Sequence, residues 1–242
     1  MTDLINWFAE SFSWLITSVQ TVDPALRNLI AGLALMLETS LFIGFLVPGD
    51  SVVLLAATGA NDFFDLSTLI GAILLGSLVG ESLGFLIGRL FGEKVRASRL
   101  GRRLGDSNWQ LADSFIETRG GLAVAISRFL PVLHALVPVT AGMSRMKYRV
   151  FIRWTVLACA IWATVYSFVG FAARGAYEQF AGNLKWGTLI AVAIVIGFVT
   201  VMHFAKKRLE QVAESMTQVG EDAQSSIAGG IETIDQEDGK QN

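Results

Sequence analysis

The sequence predicts an all-α integral membrane protein, with two opposed re-entrant helical hairpins and transmembrane helices in an inverted-repeat arrangement. Three observations lead there. The chain is 52% hydrophobic and only 17% charged, too apolar for a typical soluble domain. Several apolar runs approach or exceed the ~18 residues that mark a transmembrane helix. Two of these runs are interrupted by proline, and the most basic loop lies between them.

The organising stretch is residues 28–61. From Asn28 to Gly49 the only ionisable residue is Glu38; Pro48-Gly49-Asp50 then interrupts, and a second apolar run follows from Ser51 to Ala60. A helix over the first run would extend ~33 Å, enough for a bilayer core of ~30 Å, and the second run falls short of that. The pattern is a long helix, a break and a half-length helix. Backbone groups freed by a break survive at membrane depth only when buried in protein or facing a water-filled cavity. A carboxylate beside the break is costly in hydrocarbon and marks a pathway. The alternative is an ordinary span with a turn near the surface at Pro48-Gly49 and Asp50 in water.

Residues 1–25 form an N-terminal segment. Its run 4–20 sets Trp7, Phe8, Phe12, Trp14 and Leu15 among polar positions, the pattern of an amphipathic helix lying in the interface. The first ten residues carry acid and no base, unlike a cleavable signal. Asp23-Pro24 is a helix start, with Asp as cap and Pro at the first helical position. The first hairpin spans 26–61. Residues 66–88 form the next span, with glycines at 71, 76, 80, 84 and 88 that let helices approach closely. Glu81 sits on that stripe, facing either the same interior as Glu38 or the headgroups. Residues 89–119 carry seven bases against four acids, a cytoplasmic loop by the positive-inside rule. A solvated loop near anionic headgroups accounts for this charge better than a nucleic-acid surface does.

Residues 120–144 repeat the opening pattern, an apolar run broken by Pro131 and Pro138, with Arg128 and His134 inside it. Proline removes a donor and clashes with the preceding turn. The run is followed by RMKYR at 145–149, basic again, so it enters and leaves on one side as a second re-entrant hairpin. Residues 150–173 form a span with Trp154 and Trp162 toward one end, and 186–205 form the last span. Lys206-Lys207-Arg208 return the chain to the cytoplasm, where 206–242 make an acidic, partly disordered tail. Residues 209–242 hold eight acids and one base, so the rest of the chain is net positive although the whole carries −2. Cys159, the single cysteine, lies in an apolar run and excludes an intrachain disulfide. Apolar run, proline break, apolar run and span thus occur twice from opposite faces, as in secondary transporters whose site lies where the broken elements meet.

Three ordered stretches resemble the signatures of the DedA family. ETSLFIGFLVPGDSVVLLA matches an acid about ten residues before P-G-E/D. GESLGFLIGRLFG matches a glycine/acid pair leading to an aromatic and I-G-R-x-x-G. SRFLPVLHALVPVTAGMSRMKYRVF matches S-R-F-x-P followed by A-G-x-x-x-M and a phenylalanine. The resemblance covers about residues 26–173. It implies an inner-membrane protein with two opposed re-entrant hairpins that flips undecaprenyl phosphate or phospholipids, with proton coupling in some members. Eukaryotic lipid scramblases belong to the wider superfamily. By position it implies Glu38 and Asp50 as functional acids and Arg128 as the first functional arginine. Where many members carry a second arginine after the proline, this chain has His134, a weaker phosphate partner than a bidentate arginine.

The residue chemistry agrees with that implication. A lipid phosphate crossing a low-dielectric slab needs a replacement for its water, and a buried guanidinium offers charge and paired donors. N–H groups at the starts of half-helices add more. Arg128 is the anion partner, Glu38 and Asp50 hold it in the empty site and accept a proton, and His134 carries that proton near neutral pH. Glu81 is a further pathway candidate. The structural alternatives are an ion pair of Arg128 with Glu38 or Asp50, and a hydrogen-bonded interior His134. Pro48, Gly49, Pro131 and Pro138 shape the hairpin breaks. The expected partners are membrane lipids, an anionic lipid phosphate foremost, and protons, with no nucleic acid, cofactor, metal or catalytic residue. There is no HExxH or Walker loop, so an enzyme is not expected. Two other functions fit the sequence: a proton-coupled transporter of a small ion or solute, and a non-transporting membrane scaffold that uses the acidic tail.

Overall fold

The computed structural model describes residues 14, 17–40, 49–179 and 189–208, and among them every regular element is a helix. Most of the amphipathic segment 4–20, the proline of the Pro48 break and the tail beyond Arg208 lie outside the described residues. The elements are α1 (Pro24–Ser40), α2 (Gly49–Thr58), α3 (Phe63–Arg96), α4 (Arg99–Leu104), α5 (Asp106–Arg119), α6 (Gly121–Ser127), α7 (Pro131–Met143), α8 (Tyr148–Gln179) and α9 (Leu189–Arg208). Helices α3, α8 and α9 are long and apolar enough to cross a membrane. These are the three spans expected over 66–88, 150–173 and 186–205.

Local sequence sets the helix starts. Asp23 Oδ1 accepts from the backbone N–H of Ala25 (3.0 Å) and Leu26 (3.1 Å), capping α1 with Pro24 at its first position. Asp62 caps α3 through the N–H of Asp65, and Lys94 and Arg96 occupy its last turn, where cations oppose the helix dipole. Helix α2 runs back along α1. The Gly49 N–H meets Glu38 at one end, and at the other Arg27 donates to the Gly59 carbonyl and pairs with Asp65. Arg174 of α8 ties the same end through the Ala60 carbonyl and Asn61.

The small-residue stripe brings α3 against both broken elements. A Cβ at Gly76 would lie 2.0 Å from the Gly32 carbonyl oxygen of α1. One at Gly88 would lie 2.1 Å from the Val139 carbonyl oxygen of α7. Backbones that close leave no room for a side chain. Gly71, at the other end of the stripe, faces open space. Along α8, Gly170 packs on α2, and Trp154 packs where α6 begins at Gly121. Two apolar cores result. One gathers Leu35, Val53, Ile73, Trp162 and Tyr166; the other gathers Phe85, Trp109, Phe115, Leu136 and Phe151.

Three expectations need correction. The stretch 89–119 is not a solvated connection: α3 continues into it as far as Arg96, α4 packs beside the end of α3, and α5 folds back onto α7. Trp109, Ala112, Phe115 and Ile116 form a buried stripe at helical spacing, which outweighs the surrounding charge. Arg96 pairs with Asp113 at 2.9 Å, and the Trp109 indole N–H donates to the Gly101 carbonyl. The prolines of the second broken run also act differently. The interruption is the turn Arg128–Leu130, and Pro131 begins α7, where a missing N–H costs nothing. Pro138 lies inside α7 without breaking it, its ring against Gly84 of α3. Finally, Trp162 does not sit toward one end of its span but midway along α8. It is 3% exposed and belongs to the first core.

A cluster of charges between the broken elements

The α6–α7 turn places Arg128 inside the molecule, its side chain 3% exposed. Its Nη1 lies 3.2 Å from Glu81 Oε1 and 3.2 Å from His134 Nε2. Nη2 reaches Ser77 Oγ only at 3.5 Å, and Nε has no hydrogen-bond partner among the described residues. The guanidinium carbon stands 4.1 Å above the centre of the Trp162 ring, a cation–π contact. A guanidinium has five N–H donors, and these contacts engage them incompletely. His134 lies in the first turn of α7, with Nδ1 3.5 Å from the same Glu81 oxygen.

Glu81 sits near the middle of α3, on the glycine face, with its side chain 6% exposed. Of its two possible orientations, the structure shows the interior one. It is the ion-pair partner of Arg128, where a pair with Glu38 or Asp50 was the expected alternative. Glu38 instead binds backbone, its Oε1 accepting from the Gly49 N–H at 2.9 Å, at the start of α2 where the helix dipole favours an anion. Gly49 is required for this: a Cβ there would lie 1.8 Å from Glu38 Oε2. Glu38 remains within electrostatic range of Arg128, Asp50 and Lys206.

Asp50, one residue further along α2, accepts three hydrogen bonds. Trp162 Nε1 donates to Oδ1 at 3.1 Å; Tyr166 OH and Lys206 Nζ donate to Oδ2 at 3.0 and 2.8 Å. Trp162 therefore serves both halves of the cluster, its face under Arg128 and its N–H on Asp50. The structure thus brings Arg128, His134 and Glu81 into direct contact and sets Glu38 and Asp50 around them. Pro131 and Gly49 frame the two starts of the short helices, and Pro138 packs against α3.

Sequence reasoning missed Ser77, Trp162, Tyr166 and Lys206. Trp162 and Tyr166 are four apart, so one face of α8 carries two aromatic donors, and that spacing was the available signal. Lys206 was counted only as a flanking charge. Cys159 is buried within α8. Among the described residues no three of His, Cys, Asp and Glu stand close enough to hold a metal ion.

Comparison with known proteins accords with this architecture. Residues 47–172, just over half of the chain, match the VTT domain. The chain is 28% identical over 197 residues to Protein DedA of Escherichia coli K12, an alignment covering 76% of this chain and 88% of that one. It is 29% identical over 214 residues to an uncharacterized membrane protein, slr0232, of Synechocystis, covering 84% and 96%. A Lactococcus lactis subsp. lactis protein named alkaline phosphatase-like is 30% identical over 172 residues, covering 66% and 80%. No solved structure matches the chain. The domain match, the ordered motifs and the apolar helices together place this membrane protein in the DedA family of VTT-domain proteins.

Proposed function

We propose that the protein is a lipid translocase of the cytoplasmic membrane, moving undecaprenyl phosphate or a phospholipid from one leaflet to the other. The observation that carries this reading is the buried Arg128 guanidinium, with Nε unpartnered and its other contacts long, at the point where two broken elements face each other across α3. A phosphate would fill donors that the protein leaves open. On this reading α1–α2 and α6–α7 are re-entrant hairpins entering from opposite faces, an inverted repeat with its site at the meeting point. The face bearing α4 and α5 and the chain after Arg208 are cytoplasmic. Glu38, Asp50 and Glu81 outnumber Arg128 and Lys206, so an arriving anion meets excess negative charge. A proton taken up by one of the acids, with His134 as carrier, offsets it.

The same acid excess favours a second reading, a proton-coupled transporter of a small ion or solute. The separating experiment is flipping of undecaprenyl phosphate in proteoliposomes at pH 6 and pH 8, repeated with a phospholipid reporter, for wild type and Arg128→Ala. The translocase reading expects flipping that needs Arg128 and changes with pH. If wild type moves neither lipid, solute transport takes its place.

A further inference from the structure

Lys206 lies outside the matched domain, on a helix with little hold on the body. Among the described residues of α9 only Ala191 is buried, while Ile196, Val199, Val201 and Phe204 are half or more exposed. What binds α9 is one stripe. Val195, Phe198 and Met202 pack on the first core, Phe198 meets Tyr166 edge-on with ring centres 4.9 Å apart, and Lys206 ends the stripe on Asp50. The spacing from Val195 to Lys206 is three, four and four, so a single helix face delivers the ammonium to the cluster.

We propose that Lys206 is a second anion-binding cation of this site, held on Asp50 while the site is empty and transferred to a phosphate group when one binds. The proposal rests on the anion-site reading of Arg128 and gives Lys206 an anion-binding role that reading does not. Lys206 spends one contact on Asp50, and its ammonium has three donors on a flexible stem, so the exchange requires a side-chain movement only. Trp162 joins the two cations, since its ring carries Arg128 and its N–H holds Asp50 beside Lys206. His134 is within electrostatic range of both Arg128 and Lys206. Facing Asp50 are Trp162 and Tyr166 of α8, Lys206 of α9 and, at longer range, Glu38 of α1 and Arg128 of the α6–α7 turn. Among the described residues, Lys206 is the one cation in hydrogen-bond contact with Asp50. Asp50 and the incoming phosphate therefore compete for the same ammonium.

The test is a four-way binding comparison on the full chain in neutral detergent. Wild type, Lys206→Met, Asp50→Asn and the double variant are titrated with short-chain phosphatidic acid, and then with inorganic phosphate. The expectation is opposite signs: Lys206→Met weakens binding about tenfold, as loss of one close charge partner does, and Asp50→Asn tightens it by freeing Lys206. Most of the gain from Asp50→Asn disappears in the double variant, the remainder being the repulsion Asp50 itself exerts on an anion, and Lys206→Arg binds as wild type does. Wild-type binding by Lys206→Met, or a gain from Asp50→Asn that is undiminished without Lys206, overturns the proposal. So does failure of wild type to bind either anion. The same pattern with inorganic phosphate identifies the phosphate group alone as the ligand; the pattern with phosphatidic acid only identifies a lipid headgroup. If Lys206→Met does not accumulate, Lys206→Gln replaces it in the comparison. Binding with these signs but without flipping would sink the translocase reading and leave the role of Lys206 standing. Flipping that is indifferent to Lys206 would do the reverse.

Discussion

Glu81 and Arg128 form an ion pair between the middle of α3 and the α6–α7 turn, at 3.2 Å and with both side chains at most 6% exposed. Removing one member of such a pair strands a buried charge, typically costing about 3–5 kcal/mol, whereas removing both costs far less. Arg128→Ala should therefore lower the thermal midpoint in detergent by several degrees, and Glu81→Ala/Arg128→Ala should recover most of it. Flipping should stay absent in both. A double variant that regains stability and transport together would reduce Arg128 to a structural counter-ion.

Gly49 separates shape from chemistry at the other broken element. An alanine Cβ would collide with the Glu38 carboxylate and with the Leu35 side chain. Overpacking of this kind costs about 1–3 kcal/mol, and here it also moves Glu38 off the start of α2. Gly49→Ala should lose most transport with a modest loss of thermal stability. Gly71→Ala, in open space, should be neutral in both assays. Equal effects of the two substitutions would contradict the role given to the Glu38–Gly49 contact.

Trp162 offers a way to divide the cluster. Phenylalanine keeps an aromatic face under Arg128 and loses the N–H on Asp50; leucine loses both. A buried cation–π contact contributes up to about 2 kcal/mol, and a hydrogen bond to a charged group about 1.5–3 kcal/mol. Thermal midpoints should fall in the order wild type, Trp162→Phe, Trp162→Leu. Only the leucine variant should weaken anion binding through Arg128. Identical behaviour of the two variants would show that the ring face contributes nothing.

Much of this arrangement was legible in the residues. Hydropathy marks the three long helices, Asp23-Pro24 marks the start of α1, and the glycines at 76, 80, 84 and 88 mark the close face of α3. What stayed hidden depends on distance in space. A carboxylate on a glycine stripe does not say which helix it faces, so Glu81 was open until α7 and the Arg128 turn were in place. Charge counting hid α5, because Trp109 and Phe115 are embedded among acids and bases that point elsewhere. Proline was over-read as a break at 138, where α7 tolerates it, and the real interruption at 128–130 contains no proline. Lys206 looks like any flanking cation until the packing of α9 brings it to Asp50.

The end of the molecule near Asn61 has a separate polar cluster, and it predicts a different phenotype. Arg27, 5% exposed, donates to the Gly59 carbonyl, to Asn28 and to Asp65, while Asp65 also accepts from the Asn61 N–H at 3.0 Å. Every partner lies within α1, the α2–α3 connection or the first turn of α3. Arg174 of α8 adds a bond to Asn61 at 3.0 Å. Each Arg27 nitrogen has a partner, unlike Nε of Arg128, so this cluster is expected to fasten the return of α2 and to bind no anion. Arg27→Met leaves Asp65 buried without its charge partner and should cost about 3–5 kcal/mol. The protein that remains folded should bind phosphatidic acid with wild-type affinity and flip lipid at a wild-type rate per folded molecule. Arg27→Met/Asp65→Leu should restore the thermal midpoint. Loss of binding in the folded fraction of Arg27→Met would instead extend the anion site to this end of the chain.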